Sequence, residues 1–327
     1  MYRPSKKPEQ ANRAVQTFSP VHFLPHIRRI IAVLALVALH ALSPPAVTAD
    51  QRHFLWRAPV GTGSLSLLGS VHMLSEEFYP LPSVMEKAFK EAEVVVFETS
   101  LDRLADPSMQ GLILERGMYP PGKSLEASLS EKTYGLVKQR LEEMGLPIEP
   151  LNRFTPVFLA LALVSLETQR IGLKPELGID RHYYDRAMQE GKKVLDLESP
   201  EEQIELIFGL DEQEQELFLE STIVDLENMA EVLENILEAW KAGDTAGLAA
   251  LYQLGLEAEP RLLDFSRRLN GERNRLWEDR LQTLMEGNRG TNILVIVGAL
   301  HLAGEGSLVN LLQRRGYRLE QIVSPAP

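Results

Sequence analysis

The chain has 327 residues, of which 44% are hydrophobic, 24% charged and 7% aromatic, a composition typical of a globular protein of one or two domains. Its formal net charge of −12 argues against a broad nucleic-acid surface, because duplex phosphates bind a basic face. We therefore expect a peptide or small-molecule partner and no nucleic acid. The chain has no cysteine, which excludes disulfides, thiolate-held metals and thiol catalysis. Any metal ligand must be His, Asp or Glu.

The first 49 residues have the pattern of a secretory signal peptide. A basic stretch ends in Arg28-Arg29, an apolar run covers residues 30–42, and small residues lead to Ala49. The apolar run is shorter than the roughly 20 residues that span a bilayer. We expect cleavage after Ala49, export to the periplasm or the medium, and one mature domain at 50–327. The alternative is an uncleaved leader, which would then be the protein's contact with the membrane.

Two strands joined by a tight turn open the mature sequence. His53–Val60 and Ser64–Gly69 are rich in apolar residues and flank a Gly-Thr-Gly turn, which predicts a β-hairpin. Helical spacing over Val84–Glu93 leads directly into Val94–Phe97. That continuous apolar run is typical of a strand buried on both faces.

The rest of the chain is mostly helical and ends in further strands. Helical patterns cover about 101–175 and 200–287, separated by a helix at 178–191 and a short strand at 193–197, and followed by a buried strand at 293–297, a helix at 307–315 and a strand near 317–323. The strands thus lie mainly near the two ends of the mature chain. This predicts an α/β (α+β) fold with a central mixed sheet assembled from N- and C-terminal strands and a large helical insertion.

Two of the histidines share one sequence context. Gly69–His72 and Gly298–His301 are both Gly-x-x-His, and both follow an apolar strand. The glycine lets the backbone leave the strand, and ligands of open α/β sheets bind in the crevice at the carboxyl ends of the strands. Two imidazoles brought to that crevice could ligate a metal or act as acid and base.

A carboxylate ends a third strand. Glu98 directly follows Val94–Phe97, where an ionised group is costly to bury without a partner. A cation or a hydrogen-bond network would compensate this cost. Two His and one Glu form a common ligand set for zinc or manganese that leaves a position open for water. Taken alone, each His is better explained as a hydrogen-bonded turn residue, whereas the two motifs together with Glu98 leave both interpretations open.

Several motifs in a fixed order extend this pattern over residues 53–323. Besides the two Gly-x-x-His motifs they are Phe97-Glu98, Leu177-Gly178-Ile179-Asp180, Leu197 to Gln203, Ala239-Trp240 with Gly243-Asp244, and Arg273-Asn274. Together they resemble the TraB/GumN family, which includes the Tiki-type metalloproteases and is related to the ChaN and erythromycin-esterase-like folds. The resemblance implies a peptidase that depends on a divalent metal ion, manganese, cobalt or zinc.

The resemblance also implies a function for individual residues. His72 and His301 would hold the metal, with Glu98 as a third ligand or as general base. Arg273 would stabilise an oxyanion or a substrate carboxylate, and a salt bridge on the helix surface is the alternative. Three more residues match family positions and are possible secondary site residues: Asp180, Glu198 and Asn274. We expect Asp180 mainly to cap its helix and Gln203 to support Glu198.

Three functional hypotheses follow. The first is an exported metal-dependent hydrolase, a peptidase in which the ion activates a water molecule. The second is a non-catalytic periplasmic protein of ChaN-like type that binds haem, a metal or an anion at the same place. The third is an esterase that uses the His and Glu residues without a metal, although the sequence offers no Gly-x-Ser-x-Gly elbow for a serine nucleophile.

Overall fold

A six-stranded mixed sheet organises the computed structural model, which describes residues 50–325. The strands are β1 Gln51–Val60, β2 Gly63–Ser70, β3 Val94–Phe97, β4 Lys193–Asp196, β5 Asn292–Gly298 and β6 Glu320–Ser324, in the order β4-β3-β5-β2-β1-β6. The first four strands of that order are parallel, and β1 is antiparallel to both β2 and β6. The predicted α/β fold, with a central mixed sheet assembled from N- and C-terminal strands, is confirmed. The predicted signal peptide, residues 1–49, lies outside the described residues.

Most of the helices lie in the two stretches, about 101–175 and 200–287, for which the sequence predicts helical patterns. The helices are α1 Ser83–Glu91, α2 Leu101–Ala105, α3 Pro107–Gly117, α4 Leu125–Ser128, α5 Glu131–Glu143, α6 Pro156–Arg170, α7 Ile179–Gln189, α8 Pro200–Phe208, α9 Glu212–Asp225, α10 Met229–Lys241, α11 Thr245–Ala258, α12 Leu263–Ser266, α13 Arg273–Gly287 and α14 Leu308–Arg314. A π-helical segment, Arg267–Glu272, joins α12 to α13. Within residues 50–325, no helix has the length and apolar character needed to cross a membrane.

The core lies on both faces of the sheet. All four residues of β3 and the five central residues of β5 are buried, as their continuous apolar sequences predict. A separate cluster of buried residues joins α5, α6 and α9 and includes Val137, Leu163 and Leu219. The helical insertion therefore has apolar packing of its own, and its stability does not rest only on contacts with the sheet.

The register of the parallel strands brings their carboxyl ends to one edge. Ser70 at the end of β2 pairs with Gly298 at the end of β5, and Phe97 at the end of β3 pairs with Ile296. Phe97 also pairs with Asp196 at the end of β4. Residues that follow these strands in the sequence, Glu98 among them, consequently emerge close together although they lie far apart along the chain.

Helix α7 begins against the segment that follows β2. The backbone N–H of Ile179 donates to the carbonyl oxygen of Val71 at 3.0 Å. A Cβ atom on Gly178 would lie only 2.3 Å from the carbonyl oxygen of His72. The absence of a side chain at Gly178 thus lets the first turn of α7 approach the first Gly-x-x-His motif.

This close approach predicts opposite effects for two glycine substitutions. Gly178→Ala should lower the free energy of unfolding by about 1–3 kcal/mol, since the added methyl group must displace the backbone at His72. Gly135→Ala is the matched control, because Gly135 lies inside α5 with nothing within 4 Å of its Cβ position. The control should raise stability by up to about 1 kcal/mol. Urea unfolding of both variants measures the difference, and equal effects would contradict the described packing.

Candidate functional site

A crevice of about 370 Å³ lies at the carboxyl ends of β2, β3 and β5. His72, Glu98, Asp180 and Arg273 line it. The other residues that the sequence singles out, Glu198, Asn274 and His301, are buried beside them. All of the sequence-predicted site residues are therefore brought to one place by the fold.

Gly298 marks the point where the three predicted metal ligands meet. A Cβ atom at this position would lie 3.2 Å from Glu98 Oε1, 3.5 Å from His301 Cδ2 and 3.6 Å from His72 Nε2. The backbone N–H of Gly298 also donates to Glu98 Oε1 at 2.6 Å. The glycine of the second motif thus leaves room for the two imidazoles and the carboxylate to converge.

His72 is held by a carboxylate from α7. Its Nδ1 hydrogen-bonds to Asp180 Oδ2 at 2.9 Å, and the Ser70 hydroxyl donates to Asp180 Oδ1 at 3.0 Å. The negative charge of Asp180 raises the pKa of His72 to about 9. Because Nδ1 donates to Asp180, Nε2 is the ring nitrogen left for a ligand, and it has no hydrogen-bond partner among the described side chains.

The expectation that Asp180 caps α7 is wrong. Gly178 is the N-cap residue of this helix, and no side chain caps it. Asp180 lies within the first turn, and its carboxylate points to β2, where it binds Ser70 and His72. Both partners precede it by more than 100 residues. The local sequence around Asp180 therefore gives no indication of this contact.

Glu98 is an ionised carboxylate in the floor of the crevice. Its Oε2 accepts hydrogen bonds from Arg273 Nη2 at 2.7 Å and from Gln203 Nε2 at 3.4 Å. Burial opposes ionisation of Glu98, but the charges of His72 and Arg273 and the hydrogen bond from the Gly298 N–H favour the carboxylate and keep its pKa well below the usual range. Gln203 thus contacts Glu98, and the expectation that it supports Glu198 is wrong.

Arg273 joins the two strand-end carboxylates. Its Nε donates to Glu198 Oε2 at 3.1 Å, and its Nη2 donates to Glu198 Oε1 at 2.6 Å and to Glu98 Oε2. Its Nη1 donates to the carbonyl oxygen of Leu269 at 3.1 Å and to His301 Nε2 at 3.2 Å. A guanidinium has five N–H donors, so every donor of Arg273 is engaged within the protein.

This pairing has two consequences for the predictions about Arg273. The side chain is only 11% exposed and its carboxylate partners are buried, so the alternative of a helix-surface salt bridge is wrong. A direct contact between Arg273 and a substrate oxyanion would require one of the five hydrogen bonds to break. In the described arrangement Arg273 positions Glu98 and His301 and adds a fixed positive charge beside the crevice.

His301 is a buried, neutral histidine. Its Nδ1 hydrogen-bonds to Asn274 Oδ1 at 2.7 Å, while its Nε2 accepts the Arg273 hydrogen bond. This bonding assigns the proton to Nδ1. Burial lowers the pKa of His301 to about 4. Both ring nitrogens are consequently engaged by neighbouring residues of α13.

Trp277 is a part of the site that the sequence analysis missed. Its indole Nε1 donates to Glu198 Oε2 at 3.1 Å. Its ring lies 4.4 Å from the guanidinium carbon of Arg273 and 4.5 Å from the ring of His301. Trp277 stands four residues after Arg273, a spacing that places both on one helix face. This spacing is the one feature of the sequence that could have indicated that Trp277 lies beside Arg273.

These contacts test whether the predicted ligands fit a metal ion. The residue types suit zinc or manganese, but Nε2 of His301 already accepts a hydrogen bond from the Arg273 guanidinium. Between residues 50 and 325, no group of three His, Asp or Glu side chains is arranged to hold an ion. In the described arrangement the predicted set of His72, His301 and Glu98 therefore does not fit a three-ligand centre.

One part of the crevice lining is apolar. It is formed by side chains of α2, α8 and the π-helical segment: Leu101, Leu104, Leu206, Ile207 and Leu269. We call these five residues the apolar wall. Leu269 also contacts the charged groups, since its carbonyl oxygen accepts a hydrogen bond from Arg273.

Comparison of the sequence with known proteins places this chain in a family. The sequence model of the TraB/PrgY/gumN family matches residues 54–321. The "Uncharacterized protein YbaP" of Escherichia coli (strain K12) is 28% identical over 80% of this chain and 94% of its own length. The "Metalloprotease TIKI2" of Danio rerio is 22% identical over 86% of this chain and 63% of its own length. No solved structure matches the chain.

The buried neutral His301 predicts a loss of stability in acid. The unfolded chain binds a proton at this residue near pH 6.5, whereas the folded chain does so only near pH 4. The unfolded state thus binds more protons in this window, and the free energy of unfolding falls as the pH falls. Between pH 7 and pH 5 we expect a loss of roughly 2 kcal/mol from this residue.

Urea unfolding of the wild type and of His301→Gln at both pH values measures this contribution. The glutamine variant should lose less stability than the wild type over the same pH range, because its side chain does not titrate. Equal losses in the two proteins would contradict the assignment of a neutral His301.

Proposed function

We propose that this chain, which belongs to the TraB/PrgY/gumN family, is a hydrolase that cleaves peptide bonds in the crevice. The observation that carries the proposal is the meeting of His72 Nε2 and the Glu98 carboxylate beside Gly298. Their surroundings keep Glu98 ionised and His72 protonated, so that one group can accept a proton and the other can donate one. The printed name of the distant relative TIKI2, a metalloprotease, supports hydrolysis as the class of reaction.

The two groups supply the proton transfers of amide hydrolysis. Glu98 accepts a proton from a water molecule as the water oxygen attacks the carbonyl carbon. The imidazolium of His72 then donates its Nε2 proton to the leaving nitrogen as the C–N bond breaks. Transfer of the water-derived proton from Glu98 to His72 restores the starting state. The products are a carboxylic acid and an amine.

Other residues of the site position this pair. Asp180 orients the His72 ring and favours its charged form, much as the carboxylate of a catalytic triad does. Arg273 keeps Glu98 ionised and lies close enough to favour negative charge developing on the carbonyl oxygen. Asn274 and Arg273 together fix the orientation of His301.

A metal-dependent peptidase is the second candidate, and the name of TIKI2 favours it. It corresponds to the sequence prediction of a manganese, cobalt or zinc ion held by His72, His301 and Glu98. Because Nε2 of His301 is bonded to Arg273, the described donors do not fit that ligand set, and the proton transfers between Glu98 and His72 need no ion. Metal dependence stays a prediction.

We further propose that the protein is exported through its 1–49 leader and meets its peptide substrate outside the cytoplasm. The support is the basic and apolar pattern of that leader. Mass spectrometry of the purified protein should find Asp50 as its first residue.

The catalytic proposal predicts that Asp180 matters as much as the residues in contact with the substrate. Hydrolysis of a peptide library by the purified protein is followed by mass spectrometry. Asp180→Asn and His72→Asn should each lower the rate of cleavage by about 10²–10⁴-fold, since both remove the positioned proton donor. His182→Asn is the matched control, because this histidine of α7 contacts Arg186 and does not line the crevice. It should cleave at the wild-type rate.

Absence of cleavage by the wild type, or wild-type cleavage by His72→Asn, would refute the catalytic proposal. Stoichiometric haem binding without turnover would instead support the ChaN-like binding protein. Treatment with a chelator separates the two hydrolase candidates. Unchanged cleavage supports the metal-free route, and loss of cleavage that manganese, cobalt or zinc restores supports the metal-dependent one.

A further inference from the structure

The apolar wall contains two leucines that are not part of the hydrophobic core. Leu104 on α2 and Leu206 on α8 line the crevice and are only partly buried. Within the described residues, neither belongs to, or packs against, any of the three clusters of buried apolar side chains. Leu101, Ile207 and Leu269 in contrast pack against those clusters. The apolar surface of Leu104 and Leu206 is therefore available to a ligand.

The wall has a defined position relative to the charged groups. An ion pair of 2.6 Å between Arg103 and Glu201 joins α2 to α8, next to the two leucines. The wall and the His72–Glu98 pair line the same cavity of about 370 Å³. A group that rests on the wall is consequently a neighbour of the bond at which the two catalytic groups act.

The charges of the crevice exclude other kinds of side chain at this place. An acidic side chain would face the carboxylates of Glu98 and Asp180. Every donor of Arg273 is already engaged, and the Nε2–H of His72 is the proton donor to the cleaved bond, so no cation is left to pair with a side chain on the wall. A basic side chain would lose hydration against the leucines, and both Glu98 oxygens already accept hydrogen bonds. An apolar side chain loses nothing and gains the burial of its surface.

We propose that the apolar wall is a specificity subsite that holds an uncharged apolar side chain of the peptide, adjacent to the bond that is cut. This inference rests on the proposed function, since it names the substrate class of that same crevice. Leu104 and Leu206 are its specificity-determining residues. They contact the substrate but take no part in the proton transfers.

The test compares peptides that differ at one position. The peptides share one cleaved sequence and carry Leu, Phe, Asp or Lys next to the cleaved bond, on either side. On one side of the bond, kcat/KM should be at least about tenfold higher for Leu and Phe than for Asp and Lys. Leu206→Ala and Leu104→Ala should each reduce this preference by about threefold to tenfold. Leu254→Ala is the matched control, because Leu254 is an exposed leucine of α11 outside the crevice, and it should leave the preference unchanged.

A binding measurement keeps this proposal separate from the catalytic one. Calorimetry with the Leu and Asp peptides on Glu98→Gln measures selectivity without turnover. The subsite is supported if the Leu peptide binds more tightly than the Asp peptide and Leu206→Ala weakens that binding. This holds even if the wild type cleaves no peptide, because the absence of cleavage refutes only the proposed function. Cleavage or binding that is indifferent to the varied residue, or a preference that both leucine variants keep, overturns the subsite.

Discussion

The buried guanidinium of Arg273 is the interaction on which the candidate site depends. Two carboxylates, Glu98 and Glu198, emerge from the adjacent ends of β3 and β4, where the backbone N–H of Glu198 donates to the carbonyl of Glu98 at 2.8 Å. Without a cation between them, the two negative charges would repel each other in a region of low dielectric. Arg273 binds both, and Trp277 covers its face. Removing one partner of such a buried network typically costs about 3–5 kcal/mol, because the remaining charge is left unpaired.

The same guanidinium decides what His301 can do. A hydrogen bond from Arg273 to Nε2, together with the bond between Nδ1 and Asn274, favours the neutral imidazole and leaves neither nitrogen without a partner. His72 is in the opposite situation, since Asp180 takes one nitrogen and the other is exposed to a ligand. The two Gly-x-x-His motifs therefore produce two different histidines: His301 is buried and bonded through both nitrogens, and His72 lines the crevice.

Much of this arrangement could be predicted from the sequence because it depends on strand ends. The apolar runs at 94–97 and 293–297 identify buried parallel strands, and their carboxyl ends in such sheets meet at one edge. This was enough to bring His72, Glu98 and His301 together. The function of Asp180 and the position of Trp277 could not be read in the same way. Their partners are determined by how α7 and α13 pack on the sheet. A sequence pattern that predicts a helix does not show which side chains of distant segments that helix will contact.

For the same reason, sequence patterns cannot show whether a histidine binds a metal ion or only supports its neighbours through hydrogen bonds. A Gly-x-x-His motif predicts that a histidine lies at the end of a strand. Whether a ring nitrogen of that histidine is free to bind an ion depends on hydrogen bonds from residues far away in the sequence. The motif at Gly298–His301 is compatible with both functions until Arg273 and Asn274 are placed around the ring.

Nitrogen NMR of ¹⁵N-labelled histidine at neutral pH tests this account most directly, because it reports the protonation of each ring nitrogen of His301. The account predicts a neutral ring with its proton on Nδ1. It also predicts an Nε2 resonance that does not change when zinc is added, or when cadmium is added as a diamagnetic substitute for manganese. A charged ring, or an Nε2 resonance that shifts as it binds the added ion, would contradict it.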